Sequence, residues 1–161
     1  MFETECTVNQ FLLGYCRMMM EEIPDERMAE QPLPNVNHPA WILGHLAYSG
    51  DAAVGRLGAQ KLLTEDWTKQ FGPGSKISAL RAEYPSKDEL LRVLEDRFEQ
   101  ARRQAAIATA EPMALPNPNP RMKAGLPTVG DSVAFLLTGH LAVHLGQLSA
   151  WRRMVGMAPL F

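Results

Sequence analysis

A chain of 161 residues with 46% hydrophobic content and a formal net charge of -2 has the size of one domain and can bury a core without disulfide staples. Its basic residues are spread along the chain and balanced by acidic ones, which argues against nucleic acid as a partner. No apolar run approaches the length of a bilayer span, and Met1-Phe2-Glu3-Thr4-Glu5 has neither the basic nor the apolar region of a signal peptide, so no membrane association and a cytoplasmic location are expected.

The first segment, from about Glu3 to Glu22, carries Phe11, Leu12, Tyr15, Cys16, Met19 and Ile23 at helical spacing, and Pro24 closes it. Cys6 and Cys16 are the only cysteines. On one helix they would stand about 15 Å apart along its axis, beyond disulfide reach, so both are expected to be free thiols. Met18-Met19-Met20 reads as adaptable packing, because three adjacent side chains on a helix point in different directions.

Residues 24–37 contain three prolines and several charges and read as a surface connection. Asn37-His38-Pro39 has the form of a helix start, with His38 as cap or flank and Pro39 in the first turn. Trp41, Ile42, His45, Leu46, Ser49, Ala53 and Leu57 then continue one face to about Arg56, with Gly58 at the exit.

From Gly58 to Tyr84 the composition changes: Phe71-Gly72-Pro73-Gly74-Ser75 is a turn cluster, and Thr64 to Gln70 suggests one short helical piece. A link this long can run the full height of a bundle. Ser86 and Glu89 have capping-box spacing and open a third long helix with Leu90 or Leu91, Leu94, Phe98, Ala101, Ala105 and Ala108 inward. Arg92, Glu95, Asp96, Glu99, Arg102 and Arg103 form its solvated face. Five prolines between Pro112 and Pro127 exclude regular structure and make a stiff surface excursion that can border a site mouth.

Thr128 and Asp131 form a second capping box, opening a last helix that runs to Val155 and ends at Gly156. Val133, Leu137, His140, His144, Leu148, Trp151 and Val155 recur at threes and fours, which sets two imidazoles in the apolar stripe. Four residues apart, they are separated by about one turn, or roughly 6 Å of rise. Their ring nitrogens need partners: either a cation bridges them or polar neighbours satisfy them. If the second and last helices are neighbours, His45 can join the pair and give three nitrogens to one ion, with a further position open as in catalytic zinc sites. His140-Leu141-Ala142-Val143-His144 lacks the glutamate of zinc-peptidase helices, and no Glu precedes a His by three as in carboxylate-rich di-iron bundles. Trp41, Tyr48 and Trp151 can wall a pocket or pack in the core, and Gln147 can bond a ligand ring or lie at the surface. The apolar tail Met157-Ala158-Pro159-Leu160-Phe161 is expected to pack onto the body or onto a second subunit.

Gly44-His45-Leu46, the central Trp-x-x-x-Phe-Gly-x-Gly-Ser from Trp67 to Ser75, and His140-x-x-x-His144-x-Gly-Gln-Leu followed by Arg152, Arg153 and Gly156 together resemble the DinB/YfiT-like family over nearly the whole chain. The resemblance implies an all-α single domain, residues 1–161, a four-helix bundle in up-down-down-up order with a long crossover between the second and third helices. It implies a homodimer and one divalent metal ion, zinc or nickel, held by His45, His140 and His144. Trp41, Tyr48 and Gln147 are the candidate substrate-binding residues. Many relatives have Glu where this chain has Leu141, so a mechanism using a carboxylate there does not carry over. The family includes transferases and isomerases that use a low-molecular-weight thiol as co-substrate. Two functions follow as expectations: a metal-dependent enzyme activating water or a small thiol, or a non-catalytic, metal-stabilised dimeric bundle with a stress-related or binding role. A metal-free helical interaction module is the third.

Overall fold

The computed structural model describes residues 1–160, and it is all-helical, with no strand among them. The long elements are α1 (Glu3–Glu21), α2 (Pro39–Arg56), α4 (Lys87–Ala106) and the consecutive pair α6 (Val129–Leu137) and α7 (Gly139–Met154); α3 (Glu65–Phe71) and α5 (Ala110–Met113) are short. Helix α2 is the centre of the fold. It packs along α4 and also touches α3, α6 and α7, while α1 closes the other side against α4, α6 and α7. Fourteen of the eighteen residues of α2 are buried, which is why its sequence is apolar nearly all round and not striped.

Helices α2, α4 and α6, with the short α3, begin where the sequence supplies a side-chain cap; α1 and α7 do not. The His38 ring accepts the Trp41 N–H ahead of Pro39. Thr64 and Ser86 accept the third amide of α3 and α4, and Thr128 with Asp131 forms a complete reciprocal box. At Ser86 the expected box is only half made, because the Glu89 carboxylate turns to Arg92 at 2.7 Å. In α1, Phe11 is 69% exposed, contrary to its expected core position, and Asn9 is buried in its place. The inward face runs through Asn9, Cys16, Met20 and Ile23, and Phe11, two residues beyond Asn9, falls about 200° away around the helix.

The expected single last helix is bent. Thr138 leaves helical geometry at φ -127° and ψ -78°, its hydroxyl donating back to the Ala134 carbonyl at 2.7 Å. A threonine bonded to its i-4 carbonyl and followed by glycine is a recognised cause of such a break. The connection of residues 24–37 is less superficial than expected: Met28 and Ala29 are buried, and Trp151 donates its indole N–H to the Glu30 carbonyl. The proline-rich excursion also contains the short helix α5, since Pro112 sits in its first turn, where no amide partner is required. The excursion folds back on itself through Asn117 N–H to Pro127 and Val129 N–H to Leu115, both at 2.8 Å.

One buried ion pair ties the centre. Arg97 of α4 reaches Asp51 of α2 at 3.3 Å, with both side chains about 5% exposed. Asp51 also accepts the Leu62 and Leu63 amides, anchoring the chain that leaves α2. By length and composition the 26 residues Val129–Met154 would reach across a bilayer, which differs from the expectation of no such run. Of its apolar side chains, Val133, Leu137, Leu141, Leu145 and Leu148 are buried against the rest of the chain, while Val143 and Met154 are exposed.

Candidate metal centre

Two helices, α2 and α7, bring His45, His140 and His144 together, with their ligand atoms all within 4.8 Å of one another. Ring centroids lie 5.2 Å apart for His45 and His140, 4.7 Å for His45 and His144, and 4.6 Å for His140 and His144. His45 projects from the second turn of α2, and the pair from the first two turns of α7, immediately after the bend at Thr138.

The ring tautomers follow from the hydrogen bonds. His45 Nδ1–H donates to the Phe71 carbonyl at 2.7 Å, and His144 Nδ1–H donates to Gln147 Oε1 at 3.1 Å. Each therefore keeps a lone pair on Nε2. His140 Nδ1 is buried with no hydrogen-bond partner. Burial holds all three rings below the ordinary histidine pKa. His140 is lowered to about 3 by burial and its two neighbouring rings, and His144 to about 4 by burial and His45. His45 is lowered by burial against the opposing pull of the Phe71 carbonyl. Neutral rings with converging lone pairs, one of them with an orphaned nitrogen, fit a divalent cation.

The segment from Trp67 to Ser75 is the support of this site. Trp67 donates its indole N–H to the Gly44 carbonyl at 3.0 Å. The Phe71 ring lies on Gly44, where any Cβ would collide with it, and this close approach brings the Phe71 carbonyl to His45. Trp41 stacks on His45 at 4.7 Å with the rings 8° from parallel, and its indole N–H donates to Ser75 Oγ at 2.8 Å. The glycine before His45 and the aromatic residues of the central motif are thus one packing unit that orients a ligand.

The remaining residues singled out in the sequence fall as follows. Tyr48 lines a cavity of about 240 Å³ that reaches His45 and His140. Asn119 and Met122 of the proline-rich excursion line it too, so the excursion borders the site. Gln147 is exposed and joins His144 to Asn37, whose amide donates to the same oxygen at 2.9 Å. Trp151 is fully buried and lies in the core. His38 is also buried, but both of its ring nitrogens are used, one by the Trp41 N–H and the other on the Ser78 carbonyl. Leu141 packs in the core, and among the described residues no carboxylate lines the cavity. Cys6 and Cys16 are free, and burial pushes the Cys16 thiol up to about 12, which leaves it inert. Arg56, which sequence patterning passed over as the end of α2, lies in the cavity wall.

A family model, that of the DinB superfamily, matches residues 15–148. No curated protein and no solved structure matches the chain.

Proposed function

The chain belongs to the DinB superfamily, and on that footing we propose that it is a metal-dependent enzyme in which His45, His140 and His144 hold one divalent cation, zinc or nickel. The observation that carries this is the convergence of three neutral imidazoles, two with Nδ1 pinned by hydrogen bonds and the third with Nδ1 buried and unpartnered. When bound at three protein nitrogens, such an ion supplies Lewis acidity and lowers the pKa of a water or thiol at its open position.

The chain's own residues supply the rest. Trp41 packs His45, Gln147 orients His144, and Tyr48 faces the small-molecule ligand in the cavity. Among the described residues the wall offers no carboxylate as a general base for water. A thiol, with an ordinary pKa near 8.5, needs less help than water, and this favours transfer of a low-molecular-weight thiol over hydrolysis. The same proposal includes an up-down-down-up four-helix domain built from α1, α2, α4 and the α6–α7 pair, supported by the close packing of α2 along α4. It also includes a cytoplasmic setting and a homodimer, supported by Val8, Phe11 and Met18, which are exposed on one face of α1.

The test is elemental analysis of untagged protein, then titration of the cobalt-substituted form with small thiols. One metal per chain and a thiolate charge-transfer band are expected. A metal that is coordinatively closed, unresponsive to thiols and anions, and needed only for thermal stability would replace this with the structural reading. Absence of metal uptake would remove both.

A further inference from the structure

Arg56 is the one cation among the described residues of the cavity wall, and no acidic group among them answers its charge. Its Nε is buried without a hydrogen-bond partner, and no ion pair to it occurs among the described residues. The other buried arginines are satisfied: Arg97 by Asp51 and Asp96, and Arg152 by Glu22 and the Met19 carbonyl. The cavity of about 320 Å³ between α1 and α4 is also lined by charges, but there Arg17 pairs with Glu95 at 2.6 Å and Arg102 donates to Asn9 at 2.7 Å. An unpaired guanidinium half-withdrawn from water is costly, and burial accordingly lowers the Arg56 pKa.

Its placement relates it to the histidines. His45, Ser49, Ala52 and Arg56 follow one another along one face of α2 and line the same cavity. Eleven residues make close to three full turns, so the two residues share that face with their Cα positions about 16 Å apart along the axis. Arg56 also lines a more open groove of about 490 Å³, with Tyr48 and Lys61 on its wall and no acidic residue. The site therefore runs from the histidines, past Tyr48 and Ala52, to a cationic mouth.

Resting on the metal-dependent reading, we propose that Arg56 is the anchoring residue for a carboxylate carried by the small-molecule ligand, whose opposite end is presented to the three histidines. Nε with one Nη makes a two-pronged donor edge that matches a carboxylate, and the Nε without a hydrogen-bond partner lies on that edge. The ligand class is a small thiol or thiol acceptor with a carboxylate several bonds from its reacting end.

The test compares 6-mercaptohexanoate with 6-mercaptohexanol, and 3-mercaptopropionate with 3-mercaptopropanol, on cobalt-loaded protein by the charge-transfer band. The longer carboxylate is expected to bind at least about tenfold more tightly than its alcohol, with a smaller difference for the short pair; each charge-assisted bond is worth a factor of this order. The preference should vanish in Arg56→Gln and survive in part in Arg56→Lys, with metal content unchanged in both. Equal binding of acid and alcohol by the wild type, or a preference retained by Arg56→Gln, overturns the proposal. A readout independent of metal is thermal stabilisation of the His140→Ala variant by hexanoate against hexanol. Stabilisation by hexanoate that Arg56→Gln removes sustains the anion site even if metal loading fails, and no difference between hexanoate and hexanol there overturns it.

Discussion

Asn9 of α1 donates its side-chain N–H to the carbonyl of Leu137 at 2.7 Å, at the bend between α6 and α7. The bend takes that carbonyl out of regular helix bonding, and a buried side chain from another helix meets the need. Asn9 is in turn held by Arg102 at 2.7 Å. A polar residue on the inward face of α1 thus completes the kink that sets the direction of His140 and His144.

Asn9→Leu, close in volume, should remove that donor and leave a buried carbonyl unpaired. The expected cost is about 1–3 kcal/mol of stability, together with weaker metal binding because α7 is no longer held at its angle. Denaturant unfolding and a competitive zinc titration measure the two. Unchanged metal affinity in a destabilised variant would show that the bend does not govern the site.

Gly44→Ala forces a methyl group into the Phe71 ring. Overpacking of this kind costs about 1–3 kcal/mol, and displacement of Phe71 takes its carbonyl from His45 Nδ1. Loss of such an outer hydrogen bond weakens metal binding by about 10–100-fold. Gln147→Leu should produce the affinity loss with little change in melting temperature, since Gln147 is exposed. Isothermal titration with zinc should show the loss in both, and thermal unfolding distinguishes the two variants.

Asp51 and Arg97 form a buried pair; without Asp51 the buried Arg97 keeps only the solvent-exposed Asp96, and without Arg97 the buried Asp51 keeps only backbone amides. Asp51→Ala is expected to cost about 3–5 kcal/mol, and to release the chain after α2 by freeing the Leu62 and Leu63 amides. Adding Arg97→Met should recover part of the loss. Additive destabilisation in the double variant would contradict the pairing.

Acid should destabilise the metal-free protein. The folded-state pKa values of His45, His140 and His144 lie below the ordinary value of 6.5, with His140 at about 3 and His144 at about 4; burial lowers His38 as well. Above pH 6.5 folded and unfolded chains are both neutral at these rings and stability is full. As pH falls through that value the unfolded chain takes up protons the folded chain cannot, and stability is lost progressively toward the folded values. The lowered carboxylates, Asp25, Glu89 and Asp131, start from ordinary values near 4, so their contribution begins at lower pH. A fall in melting temperature between about pH 7 and pH 5 is expected, and His140→Phe should flatten it. A profile without that fall would contradict a neutral histidine cluster.

The helical periodicity, the caps at His38, Ser86 and Thr128, and the four-residue spacing of His140 and His144 were legible in the sequence. Each is a local property, set by the 3.6-residue repeat and by side chains bonding amides three positions away. Proline punctuation likewise marked the connections, although not that Pro112 would sit inside a short helix. The tertiary structure decided what depends on residues far apart in sequence. Nothing local to α1 marks Asn9 as the partner of Leu137, 128 residues away. Phe71 belonged to a turn cluster and Trp67 to a short helical piece until the two closed on Gly44 and the Phe71 carbonyl pinned His45. Arg56 was one charge at a helix end, where a cation is ordinarily solvated and favoured by the helix dipole. Only the packing of α6 and the proline-rich excursion beside α2 withdrew its Nε from water without giving it a partner. Local bonding selects the elements, but burial and the pairing of distant polar groups are properties of the assembled core.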